Sequence, residues 1–117
     1  MLVQSTRLNQ RRVILSYEAM SQELKKKLRL IDDNLDDLRE FYNVKKIGIF
    51  GSFVRNEQSN KSDIDILVEF IEPIGFFKFL ELEDKLSKIL KRRVDLATKN
   101  ALKRAVKKEI LRDIIYV

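Results

Sequence analysis

The chain has 117 residues, the size of one domain with a modest core, and its 44% hydrophobic content with 7 Phe and 3 Tyr excludes a disordered chain. It has neither Cys nor His, which excludes a disulfide framework, a thiolate nucleophile and a His-ligated transition metal, and leaves a hard cation on carboxylates, Mg2+ first, as the metal to expect. The net charge of +6 is uneven: residues 1–43 carry 8 basic and 7 acidic side chains, residues 44–84 carry 5 and 8, and residues 85–117 carry 11 and 3. Charge alone does not choose among RNA, nucleotide phosphates and an acidic protein as the partner of the basic end.

The first twenty residues have no regular apolar period and read as a frayed N-terminal extension, with the domain itself over residues 21–117. No apolar run approaches the ~20 residues that span a bilayer, and the N-terminus lacks a long apolar signal stretch. A soluble, cytoplasmic protein with no membrane association is expected.

From Ser21 to Tyr42 the apolar residues Leu24, Leu28, Ile31, Leu35, Leu38 and Tyr42 step by 4, 3, 4, 3 and 4, which predicts one amphipathic helix. "VKKIGIF" at residues 44–50 is rich in Ile, Val and Phe and stops at Gly51, as a first strand would. "DIDILVEF" at residues 63–70 alternates, with Ile64, Ile66, Val68 and Phe70 on one face and Asp63, Asp65, Leu67 and Glu69 on the other. A second helix follows the lone Pro73, over residues 74–91, with Phe76, Phe79, Leu80, Leu86, Ile89 and Leu90 toward the core. "RRVDLAT" at residues 92–98 is a short strand with Val94 and Leu96 opposite Asp95, and a third helix from Asn100 carries Leu102, Val106, Ile110 and Ile114. The phenylalanines of "GFFKF" read as core, and "KRR" at residues 91–93 with the tail lysines reads as a solvated face. The order predicts an α/β or α+β sandwich, helices against a small mixed sheet.

If the strand of Asp63 and Asp65 pairs with that of Asp95, three carboxylates meet on one surface. At ~4 Å two like charges repel by about 4 kcal/mol at an effective dielectric of 20, so the cluster calls for counter-cations. Mg2+ takes one or two carboxylates and completes its shell with water and phosphate oxygens, and two such ions serve phosphoryl or nucleotidyl transfer. Gly51 after a strand lets backbone N–H groups approach a phosphate, Ser52 adds a hydroxyl, and Arg55 offers charge to the same phosphates. The ten residues between Ser52 and Asp63 let the chain leave the phosphate turn and return as the metal-bearing strand.

Here the sequence resembles the minimal nucleotidyltransferases of the DNA polymerase β-like superfamily, whose signature is Gly-Ser, ten residues, then Asp-x-Asp. Gly51-Ser52 and Asp63-Ile64-Asp65 fit it without a gap, and "IGIFGS", "SDIDILVEF", "RRVDLAT" and "LRDIIYV" extend the likeness over residues 21–117. The resemblance implies a polymerase β-like palm fold, two Mg2+ ions on Asp63, Asp65 and Asp95, and nucleotide phosphates on Gly51 and Ser52. It also implies that Asp95 helps deprotonate the acceptor hydroxyl. Two departures lie in the turn: Val54 stands where relatives often have a small residue, and Asn56 where they often have glycine.

Family members typically form the antitoxin half of a pair with a HEPN-domain ribonuclease toxin, and transfer AMP from ATP to a toxin tyrosine. The resemblance therefore implies an adenylyltransferase in a hetero-oligomer with such a toxin. Polymerases and tRNA-tailing relatives carry extra domains to grip long nucleic acid, so a protein acceptor and no stable nucleic-acid binding are expected. The alternatives are a non-catalytic antitoxin that masks the toxin, transfer to an RNA end or a small-molecule hydroxyl, and RNA binding through the basic tail.

Overall fold

The computed structural model describes residues 19–117. The expected extension over residues 1–20 lies outside the described residues but for its last two, and of these Met20 is buried in the core. Helix α1 (Gln22–Asp33) starts at Ser21, whose hydroxyl accepts the Leu24 amide at 3.0 Å. It is followed by α2 (Leu35–Tyr42), β1 (Val44–Phe50), the one-turn α3 (Ser52–Arg55) and β2 (Ile64–Phe70). Then come α4 (Phe76–Leu90), β3 (Val94–Thr98), a 3-10 turn at Lys99–Ala101, α5 (Arg104–Asp113) and β4 (Ile115–Tyr116).

The sheet order is β3-β2-β1-β4, with β1 antiparallel to β2 and β4, and β2 parallel to β3. This is the mixed sheet with helices that the sequence predicts. One sheet face carries Ile47, Ile49, Ile64, Ile66, Val68, Val94 and Leu96, all buried against Leu24, Leu28 and Ile31 of α1, Leu38 and Tyr42 of α2, and Leu82, Leu86 and Leu90 of α4. Each such aliphatic side chain contributes about 1.5–3 kcal/mol by leaving water. The period-two alternation that buries these residues turns Asp65 and Asp95 to the opposite face.

Four expectations need correction. The single helix over residues 21–42 is two helices, because Asn34 (φ −105°, ψ 6°) leaves helical geometry and its side-chain amide donates to the Leu30 carbonyl at 2.8 Å. Asn competes with the helix backbone in this way without interrupting the apolar stripe, so the periodicity runs through the break. On α4 the buried face is Leu82, Leu86 and Leu90, whereas Phe76, Phe77 and Leu80 are exposed at 68%, 82% and 42%. Phe79 packs edge-on against Phe70, the last residue of β2, so the first turn of α4 extends past the end of the sheet. The third helix starts at Arg104 and stops at Asp113, and the chain then pairs with β1 as β4, with the Val117 amide on the Ile47 carbonyl at 2.9 Å. Finally, Arg92 of "KRR" is no solvated side chain: it is 17% exposed and forms an ion pair with Glu23. Among the described residues no helix is long and apolar enough to cross a membrane.

Candidate active site

The site forms where β1 ends and β2 begins. Phe50 stands opposite Asp65 in the antiparallel register, so the next residue, Gly51, turns directly beside that carboxylate. Gly51 has φ 80° and ψ −149°, a conformation essentially restricted to glycine, and a Cβ built on it would lie 2.3 Å from Asp65 Oδ2. The turn and the acid are thus in van der Waals contact. Gly51 caps α3, accepting the amides of Val54 and Arg55 at 3.0 and 3.2 Å, and the amides of Ser52 and Phe53 precede the helix's own bonds. The helix is anchored by Phe53, which is buried in the core.

Asn56 closes α3 at φ 59°, in the left-handed region. Asn is the residue other than glycine that most readily visits that region, so Asn56 suits the turn it closes. Val54 packs against the core at its edge.

Asp65 and Asp95 are register partners in the parallel pair β2–β3, so their side chains leave the same sheet face on adjacent strands. Asp65 is half-buried, and its carboxyl is held above its ordinary value of 3.8, first by burial and then by the charges of Asp95 and Asp63, with Arg55 opposing. Asp63 lies one residue before β2, and its Oδ1 accepts Arg93 Nε at 3.2 Å. Among the described residues, no three acidic side chains stand close enough to hold a metal as they are placed. The donor set nevertheless fits a hard cation. All three groups are carboxylates, two share adjacent register positions, and their mutual repulsion raises Asp65. Asp63, the third, is paired with Arg93 in an exposed ion pair, with Arg93 at 79%, and such pairs contribute about 0–1 kcal/mol.

Arg55 reaches Glu57 Oε1 with Nε at 3.0 Å and Asp113 Oδ2 with Nη1 at 3.9 Å. The Glu57 hydrogen bond, then the carboxylates of Glu57, Asp113 and Asp65, strengthen its hold on the proton. It lines an open cleft of about 380 Å³ together with Phe50, Gly51 and the α5 residues Glu109, Ile110, Arg112 and Asp113. Sequence reasoning placed α5 in the core layer and overlooked its polar residues in this cleft. The one sequence signal was the "LRDIIYV" likeness, which reaches Arg112 and Asp113 but not Glu109. Gly51, Asp65, Asp95 and Arg55 are therefore gathered at one end of the sheet, Ser52 opens the adjoining helix, and Asp63 stands at the margin on Arg93.

The nucleotidyltransferase domain family model matches residues 31–117. The protein named "Putative protein adenylyltransferase MJ0128" of Methanocaldococcus jannaschii is 58% identical over 81 residues, spanning 68% of this chain and 83% of its own length. Protein adenylyltransferase MntA of Thermococcus cleftensis is 48% identical over 81 residues, 69% of this chain and 82% of its own. A solved toxin–antitoxin crystal structure with AMP-PNP contains a chain of the same fold, with TM-score 0.59 and 25% identity over 82% of this chain and 72% of that one. With a glycine turn pressed on one strand acid and a second acid in register beside it, and with a family match across all four strands, this chain belongs to the nucleotidyltransferase domain family.

Proposed function

We propose that this protein is a protein adenylyltransferase that moves AMP from ATP to a tyrosine hydroxyl of a HEPN-domain ribonuclease toxin and thereby acts as the antitoxin of the pair. The observation that carries the reading is the contact of the Gly51 turn with Asp65, next to Asp95, because transfer needs phosphates and acids at one place. The names of the two relatives support protein as the acceptor, and the toxin–antitoxin structure with AMP-PNP supports both the pairing and the nucleotide.

In this reading the acceptor oxygen attacks the α-phosphorus of ATP, the bond from that phosphorus to the bridging oxygen breaks, and pyrophosphate leaves. Asp95, the most exposed of the acids, receives the acceptor's proton and passes it to water. The Gly51 turn and Ser52 hold the phosphates, and Arg55 exchanges Glu57 and Asp113 for phosphate oxygens. Asp63, Asp65 and Asp95 would hold two Mg2+ ions, which supply charge neutralisation at the phosphates and a lower pKa for the acceptor hydroxyl.

Incubating a HEPN-domain ribonuclease from the same organism with this protein, ATP and Mg2+ is expected to add one or more AMP units to the ribonuclease, read by intact mass spectrometry and mapped to tyrosine. Full inhibition of an unmodified ribonuclease in a stable complex would establish masking in place of catalysis. Arg55→Ala is expected to raise the KM for ATP about tenfold or more, the scale of one charge-assisted hydrogen bond, with a smaller effect on kcat. An unchanged KM would remove Arg55 from the nucleotide site.

A further inference from the structure

Arg92 is 17% exposed, well below the ion-paired Arg55, Lys88, Arg93 and Lys99 at 49%, 78%, 79% and 41%, although it follows directly on a surface turn. A cation so covered needs partners, and it has them on every side. Its Nη1 is 3.2 Å from Glu23 Oε2 of α1, and its guanidinium carbon lies 4.9 Å from the ring centre of the buried Phe53 of α3. Its Nε donates to the Ser62 carbonyl at 2.9 Å and its Nη2 to the Ser59 carbonyl. Glu23 in turn accepts Gln58 Nε2 at 3.4 Å through its other oxygen. Three of the partners, Phe53, Ser59 and Ser62, therefore lie within the ten-residue spacer that separates Ser52 from Asp63, and Glu23 of α1 holds Gln58 of the same spacer.

The next residue continues the grip. Arg93 contributes its carbonyl to the Ile64 amide at 2.9 Å and its Nε to Asp63. Two successive arginines thus hold three successive residues, Ser62, Asp63 and Ile64, at the entry to β2. The turn that sets them there is fixed by Lys91, which caps α4 at φ 56°. Within the loop, Ser59 and Ser62 bond each other's backbones, Ser59 N to Ser62 Oγ at 2.8 Å and Ser62 N to Ser59 O at 3.1 Å, so the two carbonyls that Arg92 takes belong to one closed turn.

We propose that Arg92 is a positioning residue for the transfer reaction: its fork, backed by Glu23 and Phe53, clamps the Ser59–Ser62 turn and so sets where Asp63 and Asp65 stand relative to the Gly51 phosphate turn. The guanidinium is needed because three directed donors on one plane meet two carbonyls and a carboxylate while the flat face lies on a ring. A lysine at this place supplies one point charge and satisfies one carbonyl at a time. The proposal rests on the adenylyl-transfer reading in its activity measurement only.

The test compares wild type with Arg92→Lys and Arg92→Met in three measurements: amide hydrogen exchange, Mn2+ binding by electron paramagnetic resonance, and AMP transfer with Mg2+ varied. In Arg92→Met, exchange at residues 57–63 is expected to quicken at least tenfold with β1 unchanged, Mn2+ affinity to fall at least tenfold, and kcat to fall at least tenfold at saturating ATP. The Mg2+ needed for half-maximal rate rises with it, and Arg92→Lys lies between the two. If exchange quickens while Mn2+ affinity and kcat stay within twofold of wild type, Arg92 serves stability alone and the proposal is overturned. Unchanged exchange also overturns it. If Arg92→Met does not fold, Arg92→Lys carries the same comparison. If the wild type transfers no AMP, the functional reading fails, and exchange and Mn2+ affinity still decide the role of Arg92.

Discussion

Asp65→Asn is expected to abolish the proposed AMP transfer, by about a thousandfold or more, while raising the thermal midpoint of the metal-free protein. The expected loss is that of one of the charges proposed to hold the cation, an effect of ~4 kcal/mol on the barrier. The gain in stability follows from electrostatics. Burial, then Asp95 and Asp63, raise the folded-state pKa of Asp65 above its ordinary value of 3.8, so the folded protein holds this proton more tightly than the unfolded chain does. Stability contributed by such a group is fully present below the unfolded value and is lost as pH rises through the folded value. At neutral pH the ionised carboxylate therefore works against folding, and an uncharged amide of the same shape relieves it. Thermal melts in EDTA should show the variant above wild type at pH 7, with the gap closing as pH falls toward 3.8. Adding Mg2+ with ATP should then raise the midpoint of the wild type and leave the variant where it was. A variant less stable than wild type at pH 7 would mean that the carboxylate is a net structural acceptor. Retained transfer would take Asp65 out of the reaction.

The acids were legible in the sequence because strand alternation is a local rule: once Ile64 and Ile66 are inward, Asp65 is outward, and the same holds for Asp95 between Val94 and Leu96. Their meeting was legible only as a condition, that the strand of Asp63 and Asp65 pair with that of Asp95, which the resemblance to nucleotidyltransferases then implied. The features that escaped depend on long-range partners. Asn34 breaks a helix without disturbing its apolar stripe, and Phe76 and Phe77 count as apolar although they are exposed at the start of α4. A two-residue strand such as β4 has no periodicity to read, and it exists because β1 offers a free edge to the chain after Asp113. Arg92 looked like one charge among eleven in a basic segment, and what sets it apart is the distance in sequence of Glu23, Phe53, Ser59 and Ser62.

Gly51→Ala is the second large effect, and it has two separable causes. The φ of 80° with ψ of −149° strains any residue with a Cβ, by about 1–3 kcal/mol. Independently, the new methyl would start 2.3 Å from Asp65 Oδ2, so the carboxylate has to move off its place beside Asp95. The expected outcome is a lower melting midpoint together with a loss of transfer of a hundredfold or more, because a displacement near 1 Å at the reacting groups is enough for a loss of that order. A double-mutant cycle with Asp65→Ala separates the causes. Shortening residue 65 removes the collision and leaves the backbone strain, so Gly51→Ala should cost less stability in that background than in wild type. If it costs the same in both, the glycine is required by its backbone alone. If the cost nearly vanishes, the turn can relax, and what demands glycine at position 51 is the closeness of the acid that the site is built around.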